Sequence, residues 1–444
     1  MKTRIFLSAT ILILSLSAAA QQKIHLPLKE AVAMVLEKSD EVGLANARVS
    51  TRQYELESVK NNRYPDVKIS GQYLRLTNAD INLRQANTSE DPNAEPAASP
   101  KVNQLALGQA NVNMPVFSGF RLKNSINASK NLYKSETANA AFTKEETAMH
   151  VISLYADLYK VQKSVELYRE SLKSGNQRVT DFKAMEQNGI IARNDLLQAQ
   201  LQVSKIQLSL DEAEKNVRLI NHYITTLLKL PAETMLEVSP EDIDSGLFSQ
   251  TVKPESEALG SRKDLEALEH AAHAGQDNVK VAKSGYFPSL ALVGGYTALD
   301  LQNFVTVRNA MNFGVGISYN LSSLFKNGKE VKVAESRVEE LQQKQAILTD
   351  RIKTEIVKAQ EDYDLSKKQD AVYKEAMEQA AENYRIVKDK YDNGLADTND
   401  LLEADVEQLG ANINLAYAKA NVVLKFYELL DATGQLTQSF DLTK

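Results

Sequence analysis

The feature that most constrains the fold of this 444-residue chain is an internal repeat. Residues 188–200 read NGIIARNDLLQAQ and residues 393–405 read NGLADTNDLLEAD, so seven of thirteen positions are identical at an offset of 205 (393 − 188). The same order of segments surrounds each phrase: helix, strand, strand, long helix, Asn-Gly turn and returning helix. This duplication predicts two copies of one structural unit, at 21–231 and 263–444, joined by a segment at 232–262.

The N-terminus has the layout of a secretory signal peptide. Lys2 and Arg4 precede an apolar run, and the small residues Ala18 and Ala20 follow it. Because the run is too short to span a bilayer as a helix, residues 1–20 are expected to be removed on export. The formal net charge of the chain is −6, which is unsuited to nucleic-acid binding because that function needs a basic stripe.

Two hairpins are predicted, at about 66–116 and 289–320, from segments in which apolar and polar residues alternate. Near 310–320, Phe313, Val315 and Ile317 share one face of such a segment. A period of two over about ten residues is typical of a transmembrane barrel strand, although a half-buried strand of a soluble sheet is an alternative for any single segment. No stretch after the signal has 18 consecutive apolar residues, so membrane insertion is expected as strands.

Aromatic residues flank both hairpins, namely Tyr64, Phe117, Tyr286, Phe287 and Phe325. They favour the membrane, because aromatic girdles mark bilayer interfaces. Four strands cannot close a barrel, and open edges do not survive in hydrocarbon, so the edges are expected to pair with those of other copies. Two copies would give eight strands with a filled interior, whereas three would give twelve strands and an aqueous lumen. The polar face, which includes Asn111 and Asn312, favours the homotrimer.

Long proline-free stretches follow each hairpin and end at the repeated phrases. Each would extend roughly 100 Å as a helix at 1.5 Å per residue. Only the residues SGN at 174–176 indicate an interruption in the first. Apolar residues recur at spacings of three and four, which predicts coiled coils with the returning helices.

The repeated phrases are predicted to be helical hairpins, with tips near 188–195 and 393–400. Gly189 and Gly394 would supply the left-handed conformation that ends a helix. Asp195 and Asp400 would cap the returning helices or stand in their first turns.

The mature chain resembles the TolC-like outer-membrane efflux proteins. The resemblance rests on YP and FP before the strands, PVFSGFR at 115–121, the two NG…DLL phrases, and LLDATGQL at 429–436. It implies an α+β membrane protein in which a trimeric twelve-stranded β-barrel, four strands per chain, is continuous with a long α-helical coiled-coil barrel. It also implies an equatorial collar built from the chain ends and the 232–262 segment.

The function implied by the resemblance is a passive exit duct of a tripartite efflux pump or a type I secretion system. Such a protein would lie in the outer membrane, contact its lipid, extend into the periplasm, and be recruited by a periplasmic adaptor and an inner-membrane transporter. The alternative is a structural periplasmic coiled-coil or adhesion protein without a pore. That alternative would share the helices but not the alternating strands.

Two positions correspond to the tip gate of the family. Tyr391 and Asp195 match residues that help to hold the closed tip by hydrogen bonds between neighbouring coils. Where the best-known member of the family has an arginine, this chain has Ala396, and Arg193 is a candidate substitute. The alternatives are an ordinary interface tyrosine and a helix-capping aspartate.

Two further positions correspond to an acidic ring at the periplasmic constriction. Asp400 and Glu403 are three residues apart and therefore share one helix face. Threefold symmetry would bring six carboxylates around one axis. The alternatives are a capping role for Asp400 and a solvated surface charge at Glu403.

No enzymatic site, metal or cofactor is expected. The five histidines are scattered, and only His270 and His273 share a helix face, without a third ligand. The glycines around Val315 stand within a strand and lack the strand-turn-helix setting of a phosphate loop. The polar, proline- and alanine-rich stretch at 77–101 is predicted to be a mobile extracellular loop, and a receptor site for phage is the alternative.

Overall fold

The computed structural model describes residues 23–77, 102–238, 251–302 and 304–440. The predicted signal peptide, nearly all of the predicted loop at 77–101 and part of the 232–262 segment lie outside these ranges. Within them, no helix combines the length and the apolarity needed to cross a membrane.

The described elements repeat one order, in which a helix, two strands, a long helix and a returning helix occur twice. The first half contains β1 (Lys23–His25), α1 (Leu28–Lys38), α2 (Asp40–Asn61), β2 (Asp66–Arg75), β3 (Gln104–Ser118), α3 (Arg121–Gln187), α4 (Arg193–Leu227) and β4 (Met235–Glu237). The second half contains α5 (Glu255–Ser261), α6 (Lys263–Lys283), β5 (Ser289–Leu301), β6 (Val305–Ser318), α7 (Ser323–Asp392), α8 (Thr398–Ala432) and α9 (Leu436–Ser439).

The chain divides into two compact units. The helical unit comprises the described residues of Met1–Val49, Thr137–Ala267 and Gln345–Lys444, and the sheet unit comprises those of Ser50–Glu136 and Leu268–Lys344. Each long helix therefore contributes its first turns to the sheet unit and the rest of its length to the helical unit.

The sheet unit contains one antiparallel sheet in the order β2-β3-β5-β6. Its register aligns Asn111 with Gly295, and Gly295 with Asn312. A Cβ at Gly295 would lie 3.1 Å from Oδ1 of Asn312 and 3.2 Å from Oδ1 of Asn111, so the two amide side chains flank this glycine. One face of the sheet is therefore polar at its centre, as the sequence pattern predicts.

The opposite face of β6 is apolar and exposed. Phe313 is 95% exposed, and Val315 and Ile317 are also exposed. Because side chains alternate along a strand, these three residues lie on the face opposite Asn312 and Gly314. The sheet thus has one polar face and one apolar face, as lumen-facing and lipid-facing surfaces require.

A pair of lysine substitutions in β6 tests this assignment of faces. Val315→Lys is expected to destabilise the membrane-inserted protein by about 2–4 kcal/mol, because a lysine near the bilayer midplane is poorly solvated. Gly314→Lys is the matched control, since a Cβ at Gly314 meets no atom within 4 Å and its side chain would enter the polar face. The yield of folded protein in outer membranes measures both effects, and equal yields would contradict the assignment.

The core of the helical unit draws residues from α1, α3, α4, β4, α8 and α9. Its fully or almost fully buried members include Val32, Val151, Leu158, Ile224, Leu236, Tyr427 and Leu436. Side-chain amides attach the inter-repeat segment to this core. Asn221 donates to the carbonyl of Thr234 at 2.7 Å and accepts from the amide of Leu236 at 2.8 Å. Gln435, from the LLDATGQL motif, accepts from the amide of Lys253 at 2.8 Å.

The predicted interruption at 174–176 is wrong, because α3 continues through these residues as one helix. Gly175 has a different role. A Cβ there would lie 3.0 Å from Cγ2 of Val203 on α4, so glycine permits the two helices to approach closely.

The repeat is also visible in the backbone where α4 and α8 end. Lys229 and Gly434 are again 205 residues apart (434 − 229), and both have positive φ, 55° and 66°. Crowding explains the glycine in the second copy, because a Cβ at Gly434 would lie 2.9 Å from the carbonyl carbon of Ser261.

Two carboxyl groups are buried in the helical unit at the LLDATGQL motif, namely those of Glu145 and Asp431. Burial, followed by the charge of Asp431, raises the pKa of Glu145 to about 7, and Thr437 donates a hydrogen bond of 3.2 Å to Glu145. Burial likewise raises the pKa of Asp431 to about 6, against the attraction of Arg262. Because both pKa values are raised, these groups favour the folded state fully below about pH 4, and this contribution is lost as the pH rises through about 6 to 7.

Candidate functional site

The two Asn-Gly turns have the same local structure. Gly189 and Gly394 have φ values of 72° and 74°, and a Cβ at either would meet no atom within 4 Å, so the backbone angle and not space requires glycine. The amide of each preceding asparagine donates to the carbonyl four residues earlier, from Asn188 to Ala184 at 2.7 Å and from Asn393 to Asp389 at 2.8 Å. Each long helix therefore ends in the same way. The glycine adopts a positive φ, and the side chain of the preceding asparagine donates a hydrogen bond to the last helical turn.

Asp195 and Asp400 stand in the first turns of the returning helices. Asp195 accepts from the amide of Ala192 at 3.1 Å. Asp400 accepts from the amide of Asp397 at 3.4 Å, while the Asp397 carboxylate accepts from the amide of Asp400 at 2.9 Å, which completes a reciprocal capping box. Both carboxylates also lie at the positive end of a helix dipole.

The two hairpins share one apolar cluster, called here the tip cluster. Its buried members come from α3, α4 and α8, and are Phe182, Leu196, Ala199, Leu401 and Leu402. Tyr391 of α7 packs against it, with its ring stacked on Phe182 at a centroid distance of 5.8 Å. All four helices are therefore held together near the turns.

The hydroxyl of Tyr391 is buried and has no hydrogen-bond partner among the described residues. The carboxylate of Asp195 is bound instead to the backbone of its own turn. Within one protomer, the tyrosine and the aspartate that the resemblance pairs are therefore not hydrogen bonded to each other.

A buried ion pair that the sequence patterns did not predict lies beside the tip cluster. Arg178 of α3 donates to both oxygens of Asp405 of α8, at 2.9 and 3.2 Å, and to the hydroxyl of Tyr384 of α7 at 3.1 Å. The two charged side chains are only 10% and 12% exposed. Burial disfavours the guanidinium charge, but the hydrogen bonds and charge of Asp405 outweigh it and raise the pKa of Arg178.

Spacing is the sequence signal that could have found this pair. Arg178 is four residues before Phe182, and Asp405 is four residues after Leu401. Both charges thus occupy the apolar seams of their helices. A charged side chain on a buried seam needs a partner of opposite charge. Here Arg178 on the seam of α3 pairs with Asp405 on the seam of α8.

The remaining predicted site residues lie on the surface of the turns. Asp400 and Glu403 are exposed on one face of α8. Arg193 lies 3.9 Å from Glu186 of its own hairpin and is largely exposed. Two aliphatic residues directly after the glycines are also exposed, Ile190 at 66% and Leu395 at 78%.

The histidine pair belongs to the sheet unit. The rings of His270 and His273 are 6.3 Å apart. Across the ranges that the structure describes, no group of three histidine, cysteine or acidic side chains is arranged to hold a metal ion.

Replacing Arg178 tests whether the buried pair stabilises the tip. Arg178→Ala is expected to lower the free energy of unfolding of the tip helices by about 3–5 kcal/mol, because Asp405 stays buried without a partner. Arg169→Ala, which breaks the more exposed pair with Glu214, is the control and is expected to cost about 0–1 kcal/mol. Hydrogen exchange of the tip helices measures both losses.

A double variant separates charge from packing. Arg178→Met with Asp405→Leu removes both charges, so it is expected to recover much of the loss of the single variant. Equal losses for Arg178→Ala and Arg169→Ala would show that the pair contributes no more than a surface contact.

The sequence matches the profile of the family described as "Outer membrane efflux protein" over residues 31–228 and 255–435. Among curated proteins, the outer membrane efflux protein BepC of Brucella suis biovar 1 is 21% identical over 328 residues, 73% of this chain and 71% of that protein. The outer membrane protein TolC of Vibrio cholerae is 23% identical over 335 residues, 71% of this chain and 73% of that protein.

Solved structures with the same fold include the outer membrane protein VceC of Vibrio cholerae. It superposes with a TM-score of 0.77 at 16% identity, over 92% of this chain and 96% of that chain. The CmeC outer membrane channel of Campylobacter jejuni has a TM-score of 0.77 at 17% identity, over 92% and 86% of the two chains.

Proposed function

Because the chain belongs to the outer membrane efflux protein family, we propose that three copies form an exit duct that is closed at the Asn-Gly turns and opens when an adaptor docks there. The exposed, paired turns with their shared tip cluster are the observation that supports this proposal.

Family membership makes the protein an outer-membrane efflux channel with a periplasmic helical extension. The predicted family, the α+β fold class, the exit-duct function and the outer-membrane location are thereby confirmed. The family is one of channels and not of enzymes. A pore-free coiled-coil or adhesion protein is disfavoured, because the chain also has the four-stranded sheet that such a protein would lack.

Trimer formation is supported by the edges of the sheet. Among the strands that the structure describes, β2 and β6 each have one neighbour within the protomer. In hydrocarbon their free amide and carbonyl groups need partners, which β6 and β2 of adjacent copies can supply. Three copies give twelve strands, and the amide-rich face around Gly295 then lines the lumen.

We propose that the adaptor docks at the two turns. Ile190 and Leu395 directly follow the tip glycines and expose most of their surface. An apolar side chain at an exposed turn gains free energy when a partner covers it. The inner-membrane transporter is then joined to the duct through the adaptor. The outer-membrane lipid is placed against the apolar face of β6.

The gate is placed at Tyr391 and Asp195. The buried, unpartnered hydroxyl of Tyr391 supports this placement, because an unsatisfied buried polar group costs about 1–3 kcal/mol and is best explained by a partner that assembly supplies. Arg193, which extends from the same turn as Asp195, is the cation that would reinforce this contact where Ala396 lacks one.

Tyr391→Phe tests the gate by removing only the hydroxyl. If that hydroxyl holds the closed tip, the variant duct is expected to show a raised resting conductance in planar bilayers, because a hydrogen bond of about 1 kcal/mol per protomer is lost. Tyr384→Phe, which removes a hydroxyl bound to Arg178 within one protomer, is the control. Resting conductance in Tyr391→Phe equal to that of the parent protein would exclude the gate role.

The acidic ring is placed at Asp400 and Glu403. Their exposure on one face of α8, close to the turn, supports six carboxylates around the axis of a trimer. Crowded negative charge concentrates cations in a narrow aqueous passage.

Neutralising the ring while keeping its shape tests this placement. Asp400→Asn with Glu403→Gln is expected to reduce the preference for cations over anions severalfold and to weaken block by trivalent cations about tenfold, because the counter-ion attraction is lost. The side-chain carbonyl that Asp400→Asn introduces can still accept the capping hydrogen bond. Single-channel reversal potentials and blocking curves provide the measurement.

The control for the ring is a neutralisation of equal charge elsewhere. Asp211→Asn with Glu212→Gln removes two exposed carboxylates of α4, farther along that helix from its turn. It is expected to leave selectivity unchanged. Identical selectivity in the parent protein and both variants would place the constriction at other residues.

A further inference from the structure

In the sheet unit, exposed aromatic residues surround one end of the sheet. The strand termini at this end are adjacent in register, since Ser118 pairs with Ser289 and Ser289 pairs with Ser318. The aromatic residues that leave or enter the strands here are Tyr64, Phe120, Phe287 and Phe325, and all four are exposed. Phe325, at 88%, is among the most exposed large side chains of the chain.

Contacts join the segments that carry Phe120, Phe287 and Phe325. Phe117 and Phe120 pack edge to face at a centroid distance of 5.3 Å. A Cβ at Gly119 would lie 2.8 Å from Cβ of Phe287, so the ends of β3 and β5 are in close contact. Ser323, at the start of α7, donates to the carbonyl of Gly285 at 2.7 Å.

Cations are interleaved with these aromatic residues. Arg63, Arg121, Lys123, Lys326 and Lys329 are exposed, and none forms an ion pair within the described ranges. The acids in the same stretches (63–66, 117–123, 284–289 and 318–330) are Asp66 and Glu330. The local balance is thus 5 − 2 = +3 in a chain whose formal net charge is −6.

We propose that this set of five cations and four aromatic residues, the junction collar, binds the headgroups of anionic phospholipids. The proposal rests on the outer-membrane location of the sheet and not on the tip gate. The exposed apolar face of β6 leads directly to the collar through Ile317. Aromatic side chains at such a level lie among lipid headgroups, and adjacent arginine and lysine side chains bind phosphate oxygens.

Charge complementarity selects the anionic lipid over a neutral one. A neutral zwitterionic headgroup would satisfy the aromatic residues but gives no reason for five unpaired cations. Each cation near an anionic surface contributes roughly a five-fold increase in binding.

Native mass spectrometry of the detergent-solubilised protein tests the proposal. The parent protein is expected to retain phosphatidylglycerol in preference to phosphatidylcholine when both are added in equal amounts. Arg121→Gln, Lys123→Gln, Lys326→Gln and Lys329→Gln together are expected to reduce phosphatidylglycerol retention at least tenfold. Inorganic phosphate at millimolar concentration is expected not to displace the lipid, which distinguishes a lipid surface from a free-phosphate site.

The control is a variant that loses four positive charges on α7 and keeps the oligomeric state of the parent protein. Arg337→Gln, Lys344→Gln, Lys368→Gln and Lys374→Gln neutralise four exposed cations away from the collar and are expected to retain the lipid. Equal retention of the two lipids by the parent protein, or equal loss in both quadruple variants, would overturn the proposal. Dissociation of the collar variant into monomers would also overturn it, by assigning the collar to contacts between copies. Single-channel conductance of the collar variant reports separately on the duct.

Discussion

The unpaired edges of a four-stranded sheet are the constraint on which the rest of this molecule depends. Within the described ranges, β2 and β6 of each protomer have one side unpaired, and a lipid environment offers these backbone groups no hydrogen-bond partners. Association of copies is therefore a condition for membrane insertion. The alternation of side chains then separates an aqueous lumen from lipid, because the amides around Gly295 and the apolar row of β6 lie on opposite faces.

The tip is stabilised by hydrogen bonds within each turn and by side-chain contacts between the helices. Each turn is closed by its own asparagine, glycine and aspartate. The tip cluster and the Arg178–Asp405 pair then join α3, α7 and α8 within one protomer. Breaking a buried bidentate pair is costly, so a displacement that keeps Arg178 with Asp405 is favoured over one that separates them.

Sequence patterns predicted the features that depend on neighbours along the chain. Gly189, Gly394, Asp195 and Asp400 stand in turns whose hydrogen bonds span only three to five residues, and the strand faces follow from alternation. Features that depend on distant neighbours were missed. Gly175 resembles a helix breaker until Val203 is seen beside it, and the partner of Arg178 is 227 residues away. Whether Tyr391 and Asp195 act as a gate depends on the assembly, and stays a prediction.

The buried carboxyl groups of Glu145 and Asp431 respond to acid in the opposite sense to most carboxylates of a folded protein. Most proteins lose stability in acid, because carboxylates that are stabilised as anions in the folded state become protonated. Here the two buried groups take up protons more readily when folded than when unfolded. Near the LLDATGQL motif, the packing that joins α3, α8 and α9 is therefore stabilised as the surroundings acidify. Protonation of Glu145 and Asp431 therefore offsets part of the stability that other carboxylates of the unit lose in acid.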